Sequence, residues 1–299
     1  MDISTQLKNK KIEFEKNAVI KQYTTFKIGG SFNFLVFPKD LDEIKETLKI
    51  FKENNEEFII LGKGSNVLIS DNHHDKSAII LSKYFNKISI QGGMFIKAEA
   101  GASLKDVAKF ALEYGFTGLE FAYGIPASLG GAIYMNAGAY GGSISDSLFA
   151  SKYVDENFES QMILEKEHQF SYRHSIYQEL NNAVIFQGLF LLKEDNPQVI
   201  KQKMDNYMER RKTRQPLNYP SAGSVFKRPE GNYAGALIEK CGLKGYRVGG
   251  AAVSEKHAGF IINIDNATYD DVKELINIIK NTVFEKEKIL LSEEIKYIN

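Results

Sequence analysis

The chain has 299 residues, room for two domains or three small ones, and its 43% hydrophobic and 25% charged residues are those of an ordinary soluble globular protein. Lys plus Arg and Asp plus Glu number 38 each, so no excess of cations exists to hold a nucleic acid by its phosphates. The one cysteine, Cys241, excludes an internal disulfide and a Cys/His zinc cluster and suits a reducing cytoplasm, and the N-terminus has no apolar signal-peptide stretch.

Residues 34–37 (Phe-Leu-Val-Phe) read as a strand that Pro38 ends. Asp40 then caps a helix over about 41–52, with Leu41, Ile44, Leu48 and Phe51 at helical spacing. Phe58-Ile59-Ile60-Leu61 reads as a buried strand, so 34–61 forms a strand–helix–strand unit that predicts a parallel pair. Residues 67–70 read as strand. Further short strands follow at 79–81, 88–90 and 95–98, and Ser103 with Asp106 predicts a capping box opening a helix over 104–114. The stretch 121–145 is uncharged, but six glycines, Pro126 and Asn136 exclude the run of about 20 apolar residues that a spanning helix needs. Strands near 150–155, 161–164 and 184–192 precede a long helix over 197–213. Asn196-Pro197 starts it, Gln215-Pro216 stops it, and its basic end (Arg210, Arg211, Lys212) suits the negative pole of the helix dipole. A domain boundary is placed there. The last third predicts helices at 233–241 and 270–286 and strands at 259–264 and 294–298.

Three loops stand out. Gly62-Lys63-Gly64-Ser65-Asn66 follows a strand, and its glycines allow backbone amides to approach an anion. It is no dinucleotide fingerprint, because Val67 takes the third glycine position and strand rather than helix follows; a plain glycine turn is the alternative. Residues 124–132 and 136–142 are small and uncharged, which fits close approach to a flat ligand or a pyrophosphate, or else tight packing of two segments. Ser221-Ala222-Gly223-Ser224-Val225-Phe226-Lys227-Arg228 reads as a tight turn exposing one hydroxyl beside two cations. It lacks the G-x-S-x-G spacing of a hydrolase. Taken singly, Arg173 is more often a salt-bridge partner, Glu293-Glu294 a solvated pair and His73-His74 an exposed loop pair. His257 is a cap or a pocket wall.

Taken in order, Thr24-Thr25-Phe26-Lys27-Ile28-Gly29-Gly30, Leu61 to Asn66, the loop 124–142, Tyr172-Arg173-x-Ser175, Pro220 to Lys227, Gly242-Leu243-Lys244-Gly245 and 253–263 resemble one family. It is the flavoprotein UDP-N-acetylenolpyruvoylglucosamine reductase family of bacterial cell-wall synthesis. The likeness runs over nearly the whole chain. Short spacing between Arg173 and the strand near 184 matches the shorter subgroup, which lacks an extra tyrosine loop.

The resemblance implies an α+β fold: a two-subdomain FAD-binding cradle of the vanillyl-alcohol-oxidase type plus a C-terminal α/β substrate domain. The expected ranges are 1–83, 84–213 (with strand 289–299 returning to it) and 214–288. It implies FAD held by Gly62, Lys63, Gly64, Ser65, Asn66, Gly124, Ile125, Pro126, Ser128, Gly131, Ala132, Asn136, Gly138, Ala139, Gly141 and Arg211. Tyr172, Arg214, Lys227 and His257 would bind the sugar nucleotide, and no metal is expected. Arg173, Ser224 and Glu294 would be catalytic. NADPH would reduce the flavin, the flavin would pass hydride to an enolpyruvyl ether, Arg173 would stabilise the growing charge and Ser224 would supply the proton. A cytoplasmic monomer is expected, with neither nucleic acid nor membrane as partner. The chain departs from the family pattern at Ala127, where glycine is usual, and at Lys296, where arginine is common. Glu294 aligns with the second Glu of the family's Leu-Glu-Pro-Glu-Val. A flavin oxidase on the same cradle and a non-catalytic sugar-nucleotide binder are the competing readings.

Overall fold

The structure is a computed structural model that describes residues 2–299. The chain opens with α1 (Ile3–Asn9), β1 (Glu13–Val19), β2 (Ser31–Phe37), α2 (Leu41–Glu53), β3 (Phe58–Leu61), β4 (Val67–Ile69) and β5 (Ser77–Ile80). Next come β6 (Ile88–Gly92), β7 (Phe95–Glu99), α3 (Leu104–Glu113), β8 (Phe116–Thr117), α4 (Leu129–Tyr134), β9 (Gly138–Ala139) and β10 (Gly142–Ser143). β11 (Leu148–Val154), β12 (Ser160–Leu164), β13 (Val184–Leu191), β14 (Lys193–Glu194) and α5 (Pro197–Arg214) follow. The chain ends with β15 (Ser221–Ser224), α6 (Ala234–Lys240), β16 (Arg247–Val248), β17 (Ala251–Val253), β18 (Phe260–Asn263), α7 (Tyr269–Glu287) and β19 (Lys296–Ile298). Two compact units result. Residues 1–16, 34–63 and 75–210 make the first, and 17–33, 64–74 and 211–299 the second.

The first unit contains two sheets. One has the order β1-β2-β5-β3. β2 and β3 run parallel, as the strand–helix–strand pattern predicts, but both pair with β5, which lies between them. Burial explains the insertion: every residue of β5 is buried, which suits a central strand, whereas β3 leaves Ile60 exposed and fits an edge rather than the buried strand expected there. α2 starts where Asp40 Oδ1 accepts the Glu43 amide at 2.9 Å, and it buries Ile44, Leu48 and Phe51, each contributing about 2 kcal/mol of hydrophobic stabilisation. The second sheet, β12-β11-β13-β7-β6, is antiparallel throughout. α3 lacks the expected reciprocal capping box. Ser103 Oγ accepts the Asp106 amide, but the Asp106 carboxylate takes the Ser103 hydroxyl instead of its amide. At α5, Pro197 occupies the first helical position and Asn196 Oδ1 accepts the Gln198 amide at 2.8 Å.

The second unit carries the antiparallel sheet β15-β18-β17-β16. Its core is closed by α6 and by α7, which buries Val272, Leu275, Ile276, Ile279 and Val283. Ser221–Ser224 is a bulged edge strand, not the tight turn the sequence suggests: Ser221 lies opposite Ile262 and Ser224 opposite Phe260, and Gly223 absorbs the extra residue at φ +76°. The final strand β19 pairs in parallel with β4, not with a strand of 84–213. β4 buries Leu68 and Ile69 completely and has no other strand partner, so β19 completes its ladder. The expected exposed histidine pair is also different. His74 is buried, stacked on Phe32 at 4.4 Å with Nε2 3.1 Å from the Ser70 carbonyl, and only His73 faces solvent.

The motif 24–30 ends where no side chain fits. A Cβ on Gly30 would lie 1.8 Å from the Asn72 carbonyl oxygen, while the Gly30 amide donates to Ser70 O at 2.7 Å and its carbonyl accepts from Ile20. Gly30→Ala must therefore push two backbones apart, and we expect a loss of about 3 kcal/mol in urea unfolding; a change within about 0.5 kcal/mol would contradict this packing.

Candidate functional site

In the first unit the site grows from the end of β3. A Cβ on Gly62 would lie 1.9 Å from Ser128 Oγ, so any side chain there would force the serine hydroxyl to move. Ser128 immediately precedes α4 but makes no side-chain cap bond, and its Oγ is buried with no hydrogen-bond partner. An N-terminal serine ordinarily accepts an amide of the first turn. Here the amides of Leu129 and Gly130 are already donated to Ala102 O and Ala100 O, both at 2.8 Å. The hydroxyl is left pointing at the strand end. Ala127 does not have positive φ, so its methyl sits where the family's glycine does without backbone strain.

Upstream, Glu120 is buried in the turn leading to Gly124. Burial works against its charge, but hydrogen bonds from Thr117 Oγ1 and the Gly118 amide, with Lys203 at 3.5 Å, outweigh it and hold its carboxyl below the usual range. Gly124, Ile125 and Pro126 follow that turn. Downstream, Asn136 is spent on structure: Oδ1 accepts the Ser145 amide and Nδ2 donates to Ser171 O, each at 3.0 Å. Its backbone amide is also taken, by Ile133 O at 3.2 Å, which leaves one further hydrogen on Nδ2, one lone pair on Oδ1 and the backbone carbonyl for the cofactor contact expected of it. β9 and β10 form a hairpin with Tyr140 and Gly141 at its tip, both at positive φ. Tyr140 stacks on Tyr207 at 4.7 Å with the Arg210 guanidinium 5.0 Å from its ring. Sequence reasoning missed this stack, because nothing in the spacing links a loop tyrosine to α5.

Arg173 sits at the tip of a second hairpin, where Ser171 and His174 exchange backbone hydrogen bonds at 3.2 Å. It has φ +59°, donates from Nη2 to Gly138 O at 3.2 Å, and lies 5.0 Å from the exposed ring of Tyr172. The same unit therefore joins Arg173 directly to the 138–141 loop. Gly131 and Ala132 lie in α4 and Ala139 in β9; Lys63 closes the unit's part of the 62–66 loop.

In the second unit Gly64 (φ +56°) packs under the 23–25 segment, and its carbonyl accepts the Thr25 amide at 3.1 Å. Thr25 in turn accepts the Ser221 amide at 3.1 Å and donates Oγ1 to Ser221 O at 2.7 Å. Thr25 thus rivets the glycine loop to β15, a function hidden within a motif the sequence shows but does not explain. Ser65 follows Gly64, and Asn66 Nδ2 donates to Glu294 O at 3.2 Å while Asn66 O accepts the Lys296 amide at 3.0 Å.

Ser224 is exposed between buried Ala222 and Val225, and the Val225 carbonyl accepts the Glu294 amide at 2.7 Å. The backbone therefore brings the serine strand and Glu294 together. Glu293 is committed elsewhere: Oε1 accepts from Lys280 Nζ at 2.6 Å, and hydrogen bonds from Lys280 and Tyr297 hold its carboxyl low against the opposing effect of burial. Lys227 shares this edge, its amide donating to Ser292 O at 2.8 Å. Burial, and then the charge of Lys227, push the Lys296 ammonium below its ordinary value. His257 accepts the Gly259 amide on Nδ1 at 3.1 Å and packs edge-on against Phe260; burial lowers its pKa, so the neutral ring carries its proton on Nε2. Arg211 and Arg214 lie in the last turn of α5.

These residues fit FAD. A buried hydroxyl without a partner beside a glycine strand end suits a phosphate or ribityl oxygen, and Gly62, Ser128, Gly131 and Gly138 would hold the group. No described helix is long and apolar enough to cross a membrane.

Two family profiles match: residues 215–298 match the UDP-N-acetylenolpyruvoylglucosamine reductase C-terminal domain, and residues 32–157 an FAD binding domain. A UDP-N-acetylenolpyruvoylglucosamine reductase of Caldicellulosiruptor bescii is 46% identical over 300 residues, covering 100% of this chain and 95% of its own. That of Clostridium novyi is 43% identical, covering 100% and 97%. The crystal structure of UDP-N-acetylenolpyruvylglucosamine reductase from Thermus caldophilus superposes with a TM-score of 0.82 at 31% identity, covering 96% of this chain and 99% of that one. A BBE-like 1 protein variant of Physcomitrella patens, 15% identical, superposes on 65% of this chain and 45% of its own with a TM-score of 0.52, a likeness of fold alone. The α+β fold with an FAD-binding part of the vanillyl-alcohol-oxidase type is therefore as expected. By its full-length identity and its matched C-terminal domain, the chain belongs to the UDP-N-acetylenolpyruvoylglucosamine reductase family.

Proposed function

We propose that the chain reduces UDP-N-acetylglucosamine enolpyruvate to UDP-N-acetylmuramate, a step of peptidoglycan precursor synthesis, with FAD as cofactor and NADPH as the source of hydride. The observation that carries the reading is the exposed Ser224 hydroxyl on a bulged strand whose next carbonyl holds Glu294. Bound FAD supplies the hydride relay from NADPH to the terminal carbon of the enolpyruvyl ether.

The chain's own residues do the rest. The Arg173 guanidinium binds the substrate carboxylate and stabilises the enolate-like charge that grows there. Ser224 Oγ gives a proton to the carbon bearing that carboxylate, which completes the lactyl ether. A serine is a weak acid in water, so it needs a strongly basic carbon and nearby cations; Lys227 and Lys296, near enough to repel, supply positive charge on its edge of the second unit. Glu294 orients the reacting group through a hydrogen bond. Arg214, Lys227 and His257 bind the diphosphate and sugar, with Tyr172 against the substrate. Gly62 to Asn66, the 124–141 loop and Arg211 hold the cofactor. The reading extends to a monomer in a reducing cytoplasm, in keeping with the single buried Cys241.

The purified protein should be yellow. Under anaerobic conditions NADPH should bleach it, and UDP-N-acetylglucosamine enolpyruvate should restore the colour; a bleached protein that the sugar nucleotide leaves colourless would refute the proposal. In Ser224→Ala, bleaching should keep its rate while recolouring slows by roughly 100-fold or more. Recolouring at the parent rate would remove Ser224 as the proton donor. The fit of the cofactor has its own check. Ser128→Ala deletes a buried hydroxyl that has no partner, so the apoprotein should melt at the same or a higher temperature while FAD affinity falls about tenfold. An apoprotein destabilised with FAD affinity intact would show that the hydroxyl serves the fold instead.

A further inference from the structure

We propose that Gln178 is the positioning residue that fixes Arg173 for the reaction, by donating from one side-chain amide to two carbonyls. The proposal rests on the role given to Arg173 above. Gln178 Nε2 lies 2.9 Å from Arg173 O and 3.0 Å from Tyr134 O. Arg173 is a bulky residue in the left-handed region at φ +59°, a conformation that persists only where its surroundings enforce it. The bond from Gln178 falls on the carbonyl of that same residue.

The second acceptor gives the bond its meaning. Tyr134 is the last residue of α4, and carbonyls at a helix end lack intrahelical donors. Its oxygen receives both Gln178 Nε2 and, at 2.8 Å, the hydroxyl of Ser175. The opposite end of α4 is Ser128, the hydroxyl without a partner. Gln178 thus pins the arginine hairpin to one end of a six-residue rod, about 9 Å long, whose other end meets the cofactor cradle. The guanidinium has a separate tether at Gly138 O, so backbone and tip of Arg173 are fixed independently. The chemistry needed at position 178 is two hydrogen-bond donors on one long side chain. A carboxylate would face two carbonyls as an acceptor, and an apolar side chain would leave both oxygens without this donor.

The test compares Gln178→Leu, Gln178→Glu and Gln178→Lys, each alone and combined with Arg173→Ala, in full-length FAD-loaded protein. Bleaching by NADPH and recolouring by the enolpyruvyl sugar nucleotide are timed separately, and unfolding temperature is recorded. Gln178→Leu and Gln178→Glu should slow recolouring roughly 10- to 100-fold with bleaching unchanged, because a misplaced arginine acts only on the second step. Gln178→Lys, which keeps donors, should stay within about threefold of the parent. In the Arg173→Ala background Gln178→Leu should add no further loss. The proposal is overturned if Gln178→Leu slows both steps alike, if it leaves recolouring at the parent rate, or if its loss persists in full without Arg173. If Gln178→Leu does not fold, the isosteric Gln178→Glu decides by the same criteria. Arg173→Ala that recolours normally would remove the role of Arg173, and this one with it, an outcome distinct from failure with a proven Arg173.

Discussion

At Gly62 the backbone passes so close to Ser128 that a single methyl would collide with the hydroxyl at 1.9 Å. Much of the first unit's site follows from that contact. The Ser128 hydroxyl there does not cap α4, and the carbonyls of Ala102 and Ala100 accept the Leu129 and Gly130 amides in its place. A buried polar atom left in this state costs about 1–3 kcal/mol in the free protein. A ligand atom that bonded the hydroxyl would remove that cost, the gain on which the proposed cofactor contact at Ser128 rests. At the far end of α4 the Tyr134 carbonyl receives Ser175 and Gln178. One short element therefore links the Gly62 strand end to the arginine hairpin, and placing groups on such an element fixes them better than a free loop would.

In the second unit backbone hydrogen bonds do comparable work. Glu293 faces Lys280 and Tyr297, where its charge is neutralised inside the fold. Glu294 is fixed through its backbone, with its amide on Val225 O and its carbonyl on Asn66. Of two adjacent glutamates, one is thus engaged by Lys280 and Tyr297, and the other is held by its backbone beside the serine strand. Burial, and then the charge of Lys227, disfavour the Lys296 ammonium, so an anion binding beside it would restore its charge.

Most of the longer helices were legible in the sequence because their signals are local, but α1 was not read and α4 lies in a stretch read as a glycine-rich loop. Asp40, Ser103 and Asn196-Pro197 mark starts that the structure confirms by hydrogen bond, and the 3.6-residue spacing of Val272, Leu275, Ile276 and Ile279 gives the buried face of α7. Strand neighbours were not legible. The pairing of β5 between β2 and β3, and of β19 with β4, joins segments remote in sequence, and burial rather than spacing selects them. The glycine loops were visible as motifs, yet their partners were not. Nothing in Gly62 announces Ser128, and nothing in Thr25 announces that its hydroxyl will bind Ser221 O. His74 misled because a loop histidine beside another looks solvated, whereas Phe32 and Ser70 bury it.

Three residues of the candidate site's loops share a property. Asn136, Tyr140 and Arg173 all take positive φ without being glycine. Elsewhere such a residue can be an ordinary helix end, as at Lys288, where the left-handed turn closes α7. At these three positions side chains hold the backbone in place: Asn136 bonds Ser145 and Ser171, Tyr140 stacks on Tyr207, and Arg173 is bonded by Gln178. A backbone conformation enforced by several unrelated contacts is stiff, so it presents its side chain in one direction at little entropic cost when a ligand arrives. That stiffness is a property of long-range partners, and it explains why a motif such as Tyr172-Arg173-x-Ser175 can be read from the chain while its reason for existing cannot.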